Sequence, residues 1–524
     1  MASEPSQKCH HVRIQSFRLQ LQYELHNRSH NMQEETQLAA IDIGSNSFRL
    51  EIAKYVGGHI EPLDSLRETV RLGGGMSKDK ALSLDSMARG WSCLERFAER
   101  IRGFEPHQVR VIATQTLREA SNRDEFITTA RKILGHEVEV IAGHEEARLI
   151  FQGVQLALPD VAENRLVVDI GGRSTEIILG NDKKAKTLAS FNVGSVSWSD
   201  RYFPAGILSR VHFDHAIVAA QAILEEAQAR FSADKWDTAY GSSGTVNAVF
   251  NMLSAAGLAT DGITRDDLHW LISQLCKARH CDEIDLQGLK QERKSVIAGG
   301  ISVLYALMTL FDIDRLYPTK GALRHGALAE IVNRETAIGD IRLRTVKHLM
   351  DRFRVDVEQA KRVERVAIQL LDNIDPNKNI PTFMRLDLQW AALLHELGSL
   401  ISHADSPMHG AYLLDHVEAP GFSIDEFHRL AVLVLGQRGK LRRVSTEIGN
   451  QHFRSILLCL RLACILCHAR RDPDLKAVRL EPREFDFHLI LPSTWAKAHP
   501  QSMWLIEAEV QSWQRYGAVI SVAM

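Results

Sequence analysis

Leu38-Ala-Ala-Ile-Asp-Ile-Gly-Ser-Asn-Ser-Phe-Arg-Leu-Glu-Ile-Ala53 and Leu166-Val-Val-Asp-Ile-Gly-Gly-Arg-Ser-Thr-Glu-Ile-Ile-Leu-Gly180 decide the fold. Each is an apolar, β-branched run ending in Asp-Ile-Gly, followed by small polar residues and a second apolar run. That pattern predicts a buried strand, a tight turn and a returning strand. With Asp42 set on Asp169, Gly44 falls on Gly171 and Ser47 on Ser174, so the chain reads as internally duplicated.

The two turns have a chemical use. Glycine lets a ligand come close to the backbone, and successive N–H groups with Ser or Thr hydroxyls cradle phosphate oxygens. Phosphate-binding candidates are therefore Gly44, Ser45, Asn46 and Ser47 in the first turn, and Gly171, Gly172, Arg173, Ser174 and Thr175 in the second. Asp42 and Asp169, at the strand ends, are tolerable beside phosphate mainly if a cation bridges the two, and Mg²⁺ is the natural candidate. Plain hairpins, in which Gly and Ser merely turn the chain, are the competing reading. Two copies facing each other favour a phosphate clamp.

Asp42-Ile-Gly-Ser-Asn-Ser-Phe-Arg49, Gly143-His-Glu-Glu-Ala-Arg-Leu-Ile-Phe151 and Asp169-Ile-Gly-Gly-Arg-Ser-Thr-Glu176 together resemble the exopolyphosphatase / guanosine pentaphosphate phosphohydrolase family. The likeness runs from about Leu38 to the C-terminus. It implies an α/β protein with the two-lobed fold of actin and sugar kinases, built from duplicated ribonuclease-H-like lobes. An all-α domain resembling the His-Asp phosphohydrolases and a small C-terminal α+β domain would follow. The boundaries expected on this basis are a disordered extension over 1–37, lobes over 38–150 and 151–334, a helical domain over 335–476 and the last domain over 477–524.

Composition agrees with several domains, since 524 residues exceed one ordinary core. A net charge of −2 gives no global attraction for a polyanion, so anion binding must come from local Arg and Lys clusters and metal. Seven scattered cysteines and no secretory leader point to a reducing, cytoplasmic setting. The longest uncharged run, Ser295 to Phe311, is shorter than the roughly 20 residues that span a bilayer and reads as a buried helix. No integral membrane segment and no nucleic-acid partner are expected.

Other stretches are read with their plain alternatives. Val70-Arg-Leu-Gly-Gly-Gly-Met76 could be a loop that closes over a substrate, although a lone glycine cluster is a weak sign. Ser83 to Arg102 is an amphipathic helix with Leu84, Met87, Trp91, Leu94 and Phe97 inward. Cys9-His10-His11 lies in the polar tail and carries no function, and Met32 is a candidate initiator. Cys464-Ile-Leu-Cys467-His468 matches a haem-attachment pattern but sits in an apolar run, where core cysteines are the simpler reading.

The resemblance assigns further roles. Glu146, the second acid of the Gly143 motif, is the proposed catalytic residue. By its place on the returning strand beside Asp169, Glu176, which stands where the first copy has Arg49, can share Mg²⁺ or the catalytic water with it. Arg118, Gly244, Thr245 and Arg293 would contact phosphate. Arg173 replaces a third glycine of the family pattern. It is either strained, if the turn needs positive φ, or a guanidinium offered to the phosphate chain. In the helical domain, Glu396 and Gln437 replace acid and histidine ligands, so its metal site is expected to be degenerate. Arg438, Lys440, Arg442, Arg443, Arg470 and Arg471 are either a solvated face or a track for a long polyanion. The expected function is Mg²⁺-dependent release of terminal orthophosphate from linear polyphosphate, with homodimerisation implied by the resemblance. A guanosine pentaphosphate 5′-phosphohydrolase and a non-catalytic polyphosphate or nucleotide sensor are the alternatives.

Overall fold

The computed structural model describes residues 36–159, 161–181, 184–258, 261–335, 340–474, 478–483, 486–516 and 520–523. They form two compact units that part between Asp340 and Ile341. The readings for Cys9-His10-His11 and Met32 lie outside the described residues.

The first unit holds two sheets of the same topology. Strands β1 (Thr36–Ile43), β2 (Ser47–Val56), β3 (His59–Thr69), β4 (Val109–Ala113) and β5 (Val138–Val140) run in the order 3-2-1-4-5. Strands β6 (Arg165–Ile170), β7 (Thr175–Gly180), β8 (Ala185–Phe191) and β9 (Thr238–Ser242), then a short β10 (Ile263–Thr264) and β11 (Arg315–Pro318), repeat it as 8-7-6-9-11, with β10 added at the edge. In both sheets the hairpin strands are antiparallel and the next strand joins parallel. β6 is buried along its whole length, as expected of a continuous Leu-Val-Val-Asp-Ile run.

Helices α1 (Leu84–Arg100), α2 (Gln115–Glu119), α3 (Arg123–Leu134) and α4 (Gly143–Ala157) belong to the first repeat. Helices α5 (Ser195–Tyr202), α6 (Arg210–Leu224), α7 (Ser243–Ala255), α8 (Arg265–Ala278), α9 (Ile297–Leu310) and α10 (Leu323–Glu335) belong to the second. α1 starts where Ser83 accepts a hydrogen bond from the Ser86 N–H at 3.3 Å, an ordinary N-cap. It buries Met87, Gly90, Cys93, Leu94 and Phe97, but Leu84, expected inward, is 70% exposed in the first turn. α9 has eleven buried residues spread around its surface, which accounts for the uncharged run read as an interior helix.

The helices that close each repeat are exchanged. α4 packs on β7 and β8 of the second sheet, whereas α10 packs on β1 and β2 of the first, and the two helices pack on each other. Their joint core contains Leu38 and Ala53 from the first sheet, Ile178 from the second, Ile150 and Phe151 of α4, and Leu323 and Leu328 of α10. The start of each helix is thus carried to the opposite sheet's turn.

The glycine stretch after β3 is not a free flap. The N–H groups of Val70 and Arg71 donate to the Asn46 carbonyl at 3.1 and 2.9 Å, and the Gly73 N–H donates to that of Ser45 at 2.8 Å. The segment is stitched to the first phosphate turn, and the closing motion read from its glycines is corrected accordingly.

The second unit is helical. It contains α11 (Ile341–Arg352), α12 (Val357–Ile374), α13 (Thr382–Leu394), α14 (Ser406–His416), α15 (Ile424–Gly436), α16 (Gln451–Leu466), α17 (Ser493–Ala498) and α18 (Pro500–Gln514). A three-stranded sheet joins them: β12 (Arg479–Arg483), β13 (Asp486–Ile490) and β14 (Ile520–Ala523). One apolar core runs from Val346 through Leu457 to Leu489, Trp513 and Ile520. A buried ion pair between Arg461 and Glu509 fixes α18 to α16, and the Arg461 guanidinium also donates to the Gly436 and Gly439 carbonyls at 2.5 and 3.1 Å. Cys464 and Cys467 lie in or at the end of α16, with thiols pushed up to about 12 by burial, so they are core residues. Among the described residues no helix is long and apolar enough to cross a membrane.

Candidate active site

The two Asp-Ile-Gly turns face each other within the first unit. A Cβ added to Gly172 would lie 3.0 Å from the Ser45 Cβ and 3.4 Å from the Asn46 N, so the turns are in contact. Between them is a cavity of about 120 Å³. Gly44, Ser45, Asn46 and Ser47 line one side, and Gly171, Gly172 and Ser174 the other. Asp42, Glu146, Asp169, Gly244, Thr245 and Arg293 complete the sequence candidates that reach it, whereas Glu176, buried on β7 behind them, does not line it.

Three sequence candidates do not line the cavity as phosphate contacts. Thr175 is fully buried, and its hydroxyl donates to the Val193 carbonyl at 2.5 Å, which makes it a brace of the turn. Arg118 donates to the Glu146 carboxylate at 2.7 Å and to the Ile141 carbonyl at 2.8 Å, so its charge is spent on orienting that acid. Arg173 leaves the turn towards the first lobe, with Nη1 3.4 Å from the Gly73 carbonyl and Nη2 3.4 Å from Glu119. Its φ is not positive, so the strain considered for this position is absent.

The acids are arranged by the sheets. Asp169 and Glu176 are directly opposed partners on β6 and β7, just as Asp42 and Arg49 are on β1 and β2. Opposed residues share a face of the sheet, and two like charges there are unfavourable unless something neutralises them. Glu176 is 1% exposed and accepts from the Ser190 hydroxyl at 2.8 Å. Its carboxyl is held well above the usual range by burial, then by the charges of Glu146 and Asp169. Burial also pushes Asp42 up to about 7 and Asp169 up to about 6, with Glu146 adding to both.

This donor set fits a hard divalent cation. Burial favours the protonated form of these carboxyls, and a cation that joins them favours the anion instead; Mg²⁺ commonly takes one or two carboxylates plus waters and phosphate oxygens. Among the described residues the only three metal-ligating groups mutually within 4.8 Å are His280, Cys281 and Asp282. The cavity acids therefore form no closed three-carboxylate cage. At His280, Nε2 contacts the Ala205 carbonyl at 2.7 Å and Nδ1 accepts from the Asp282 N–H at 3.2 Å, so its ring is a structural cap.

Facing the acids is a basic wall. Arg49, Arg293 and Arg324 line the cavity, and Arg67 stands behind them. Arg324 donates to Glu51 at 2.8 Å, but Arg49 and Arg293 form no ion pair with any described residue. Burial, then Arg67 and Arg49, lowers Arg293 to about 10. Its guanidinium lies over the first turn of α7, where a Cβ on Gly244 would sit 1.6 Å from Nη2. A cation at a helix N-terminus opposes the dipole, so an anion between the two would satisfy both. His325, burdened by burial and then by Arg324 and Arg49, is lowered to about 4 and stays neutral.

Residues 51–335 match the Ppx/GppA phosphatase family, and residues 341–510 match domain III of the Ppx/GppA phosphatases. The chain belongs to the Ppx/GppA phosphatase family. Among solved structures, an exopolyphosphatase-like protein is 27% identical, with a TM-score of 0.51 over 56% of this chain and 97% of its own. An exopolyphosphatase from Cytophaga hutchinsonii is 23% identical, with a TM-score of 0.52 over 57% and 98%. The Aquifex aeolicus Ppx/GppA family member is 24% identical, with a TM-score of 0.48 over 57% and 99%. The fold of this Ppx/GppA phosphatase is the two-lobed actin-like one, followed by a helical region with a small sheet.

The cavity of this family member includes residues that the sequence did not single out: Arg49, Ser195, Ser243 and Arg324. Arg49 carried a signal, because it occupies the place of Glu176 in the repeat. Arg324 enters only because the helix exchange brings the start of α10 across. Ser243 adopts φ 81° and donates to the Ile170 carbonyl at 2.8 Å, a strained residue that points the α7 N-terminus into the cavity.

Raised carboxyls have a consequence for stability. Their folded pKa values exceed the unfolded one, so the folded state binds more protons and stability falls as pH rises through that window. His325, whose pKa is lowered, acts oppositely but only below its ordinary 6.5. In chelator, the melting temperature of the first unit should therefore drop between about pH 5 and 7, up through the folded values of Asp169 and Asp42, the three acids outweighing the one histidine, and Mg²⁺ should restore more of it at the upper end. A flat profile would count against the buried acids.

Proposed function

We propose that this protein hydrolyses the terminal phosphoanhydride bond of a linear polyphosphate, releasing orthophosphate one unit at a time. The observation that carries the reading is Glu146, held by Arg118 and open to a cavity whose facing wall bears Arg49 and Arg293 with no ion-pair partner among the described residues. The turn N–H groups, the α7 N-terminus and the two arginines bind the terminal phosphoryl oxygens. Glu146 orients a water and accepts its proton. The water oxygen bonds to the terminal phosphorus, and the bridging oxygen leaves with the bond's electrons as the end of the shortened chain. Asp169 and Glu176 are the residues suited to Mg²⁺, which would neutralise charge on the transferred group. Positioning and charge neutralisation supply most of the acceleration for such loose transition states.

Polyphosphate is favoured over guanosine pentaphosphate by what the cavity lacks. Among the described residues lining it, none is aromatic, so there is no stacking platform for a base. The likeness to an exopolyphosphatase-like protein at 27% identity supports the same choice. With both substrates offered together, the reading expects orthophosphate to come chiefly from polyphosphate; preferential loss of the nucleotide's 5′-phosphate would reverse it. Arg293→Ala should weaken polyphosphate binding by about tenfold to a hundredfold, the equivalent of about 1.5–3 kcal/mol for a hydrogen bond to a charged group, as read from KM.

A further inference from the structure

The second phosphate turn sends a guanidinium away from the phosphate. Arg173 reaches from the second lobe to α2 of the first, 3.4 Å from Glu119, and a second contact runs alongside, from the Gln115 amide to Asn192 Oδ1 at 2.6 Å. Both contacts end on the same short helix. Within it, the Gln115 amide also donates to Glu119, and Gln115 Oε1 accepts from Arg118 Nε at 3.0 Å. Arg118 in turn donates to Glu146 at 2.7 Å. One uninterrupted chain of polar contacts thus links Arg173, Glu119, Gln115, Arg118 and Glu146 across the cleft.

We propose that Arg173 is a positioning residue: it holds α2 against the second lobe, and α2, through Arg118, fixes the carboxylate of Glu146 for proton transfer. This rests on the catalytic reading of Glu146 given above. The guanidinium faces two acids, Glu119 and Asp200, and not the cavity. Without it, α2 keeps the Gln115–Asn192 bond to the second lobe but loses the guanidinium that braces its C-terminal end, and α2 can tilt. A tilt of about 1 Å at the catalytic group is enough to cost as much as a hundredfold in rate.

The test compares Arg173→Ala, Glu119→Gln and the double variant with wild type, each with its melting temperature recorded, in two assays. The first is polyphosphate turnover. Each single variant should lower kcat by about tenfold or more and leave KM within about twofold, since the effect is one of alignment. The double variant should lose clearly less than the product of the two single losses, because both remove the shared Arg173–Glu119 contact, while each also loses one of its own, to the Gly73 carbonyl and the Gln115 amide. Losses that multiply, or a loss confined to KM, would overturn the proposal, the latter making Arg173 a substrate contact. The second assay is amide hydrogen exchange, which needs no turnover: exchange over 115–119 and the first turn of α4 should rise in either single variant, and unchanged protection there would also overturn it. If wild type releases no phosphate while exchange rises as expected, the catalytic reading fails and the mechanical link stands.

Discussion

Glu146→Gln is expected to reduce phosphate release from polyphosphate by about 10²–10⁴-fold, the usual worth of a positioned general base, while binding stays within a few-fold of wild type. The amide keeps the shape of the side chain and can still meet Arg118, but it cannot accept the proton of the attacking water. Its neighbour supplies the control. Glu145, adjacent in sequence and 2% exposed, points the other way and pairs with Arg148 at 2.8 Å, while Arg148 also pairs with Glu330 at 3.1 Å. Glu145→Gln should accordingly lower the melting temperature, because it removes charge from a buried ion cluster. Any rate it loses should track the folded fraction. Equal turnover losses in the two variants at equal folded fraction would dissolve the distinction between them.

The second large effect is expected at the crossing of α4 and α10. A Cβ on Gly326 would lie 1.9 Å from the Leu149 carbonyl oxygen, and one on Gly153 would lie 2.1 Å from that of Ala322. Both obstacles are backbone and cannot swing aside, so Gly326→Ala must push the helices apart. Overpacking of this kind costs about 1–3 kcal/mol and occasionally more. The two helices also carry Glu146 and Arg324 at their first turns, so the displacement should reach the cavity and lower kcat in the residual folded protein by up to about a hundredfold. Gly449→Ala, where an added Cβ meets nothing within 4 Å, is the matched control and should leave both quantities unchanged. Unaltered melting in Gly326→Ala would show that the helices are not clamped as described.

What could be read from the sequence follows from how local each feature is. The paired hairpins, the helix that starts at Ser83 and the interior helix α9 are written in short-range periodicity, and the structure has each of them within a few residues. The exchange of α4 and α10 is a long-range pairing that no local pattern encodes, and with it went Arg324 and the direction of Arg49. Small polar residues in a turn announce a cradle but not which of them brace it, so Thr175 could not be told from Ser174 until its hydroxyl was seen on the Val193 carbonyl. Arg173 shows the same limit for a long side chain, whose reach from one turn covers both the phosphate site and the neighbouring lobe. The glycines of the Val70 to Met76 stretch suggested mobility, whereas they serve a backbone that is hydrogen-bonded to the first turn. In the helical unit, the residues at the expected ligand positions are otherwise engaged: Glu396 pairs with Arg470 at 2.6 Å, and Gln437 donates to the His395 carbonyl at 2.5 Å. Arg470, although exposed, also pairs with Asp356 at 2.7 Å, so its charge is already partnered within the helical unit.

The central claim is that water, activated at Glu146, attacks the end of a phosphate chain held between the two turns. Turnover of defined-length polyphosphate in ¹⁸O-enriched water, with products resolved by mass spectrometry, tests it most directly. The account predicts one solvent oxygen in each released orthophosphate, none in the remaining chain, and a chain shortened from its end by single units. Orthophosphate lacking solvent oxygen, phosphate appearing on another acceptor, or chains cut internally would contradict it.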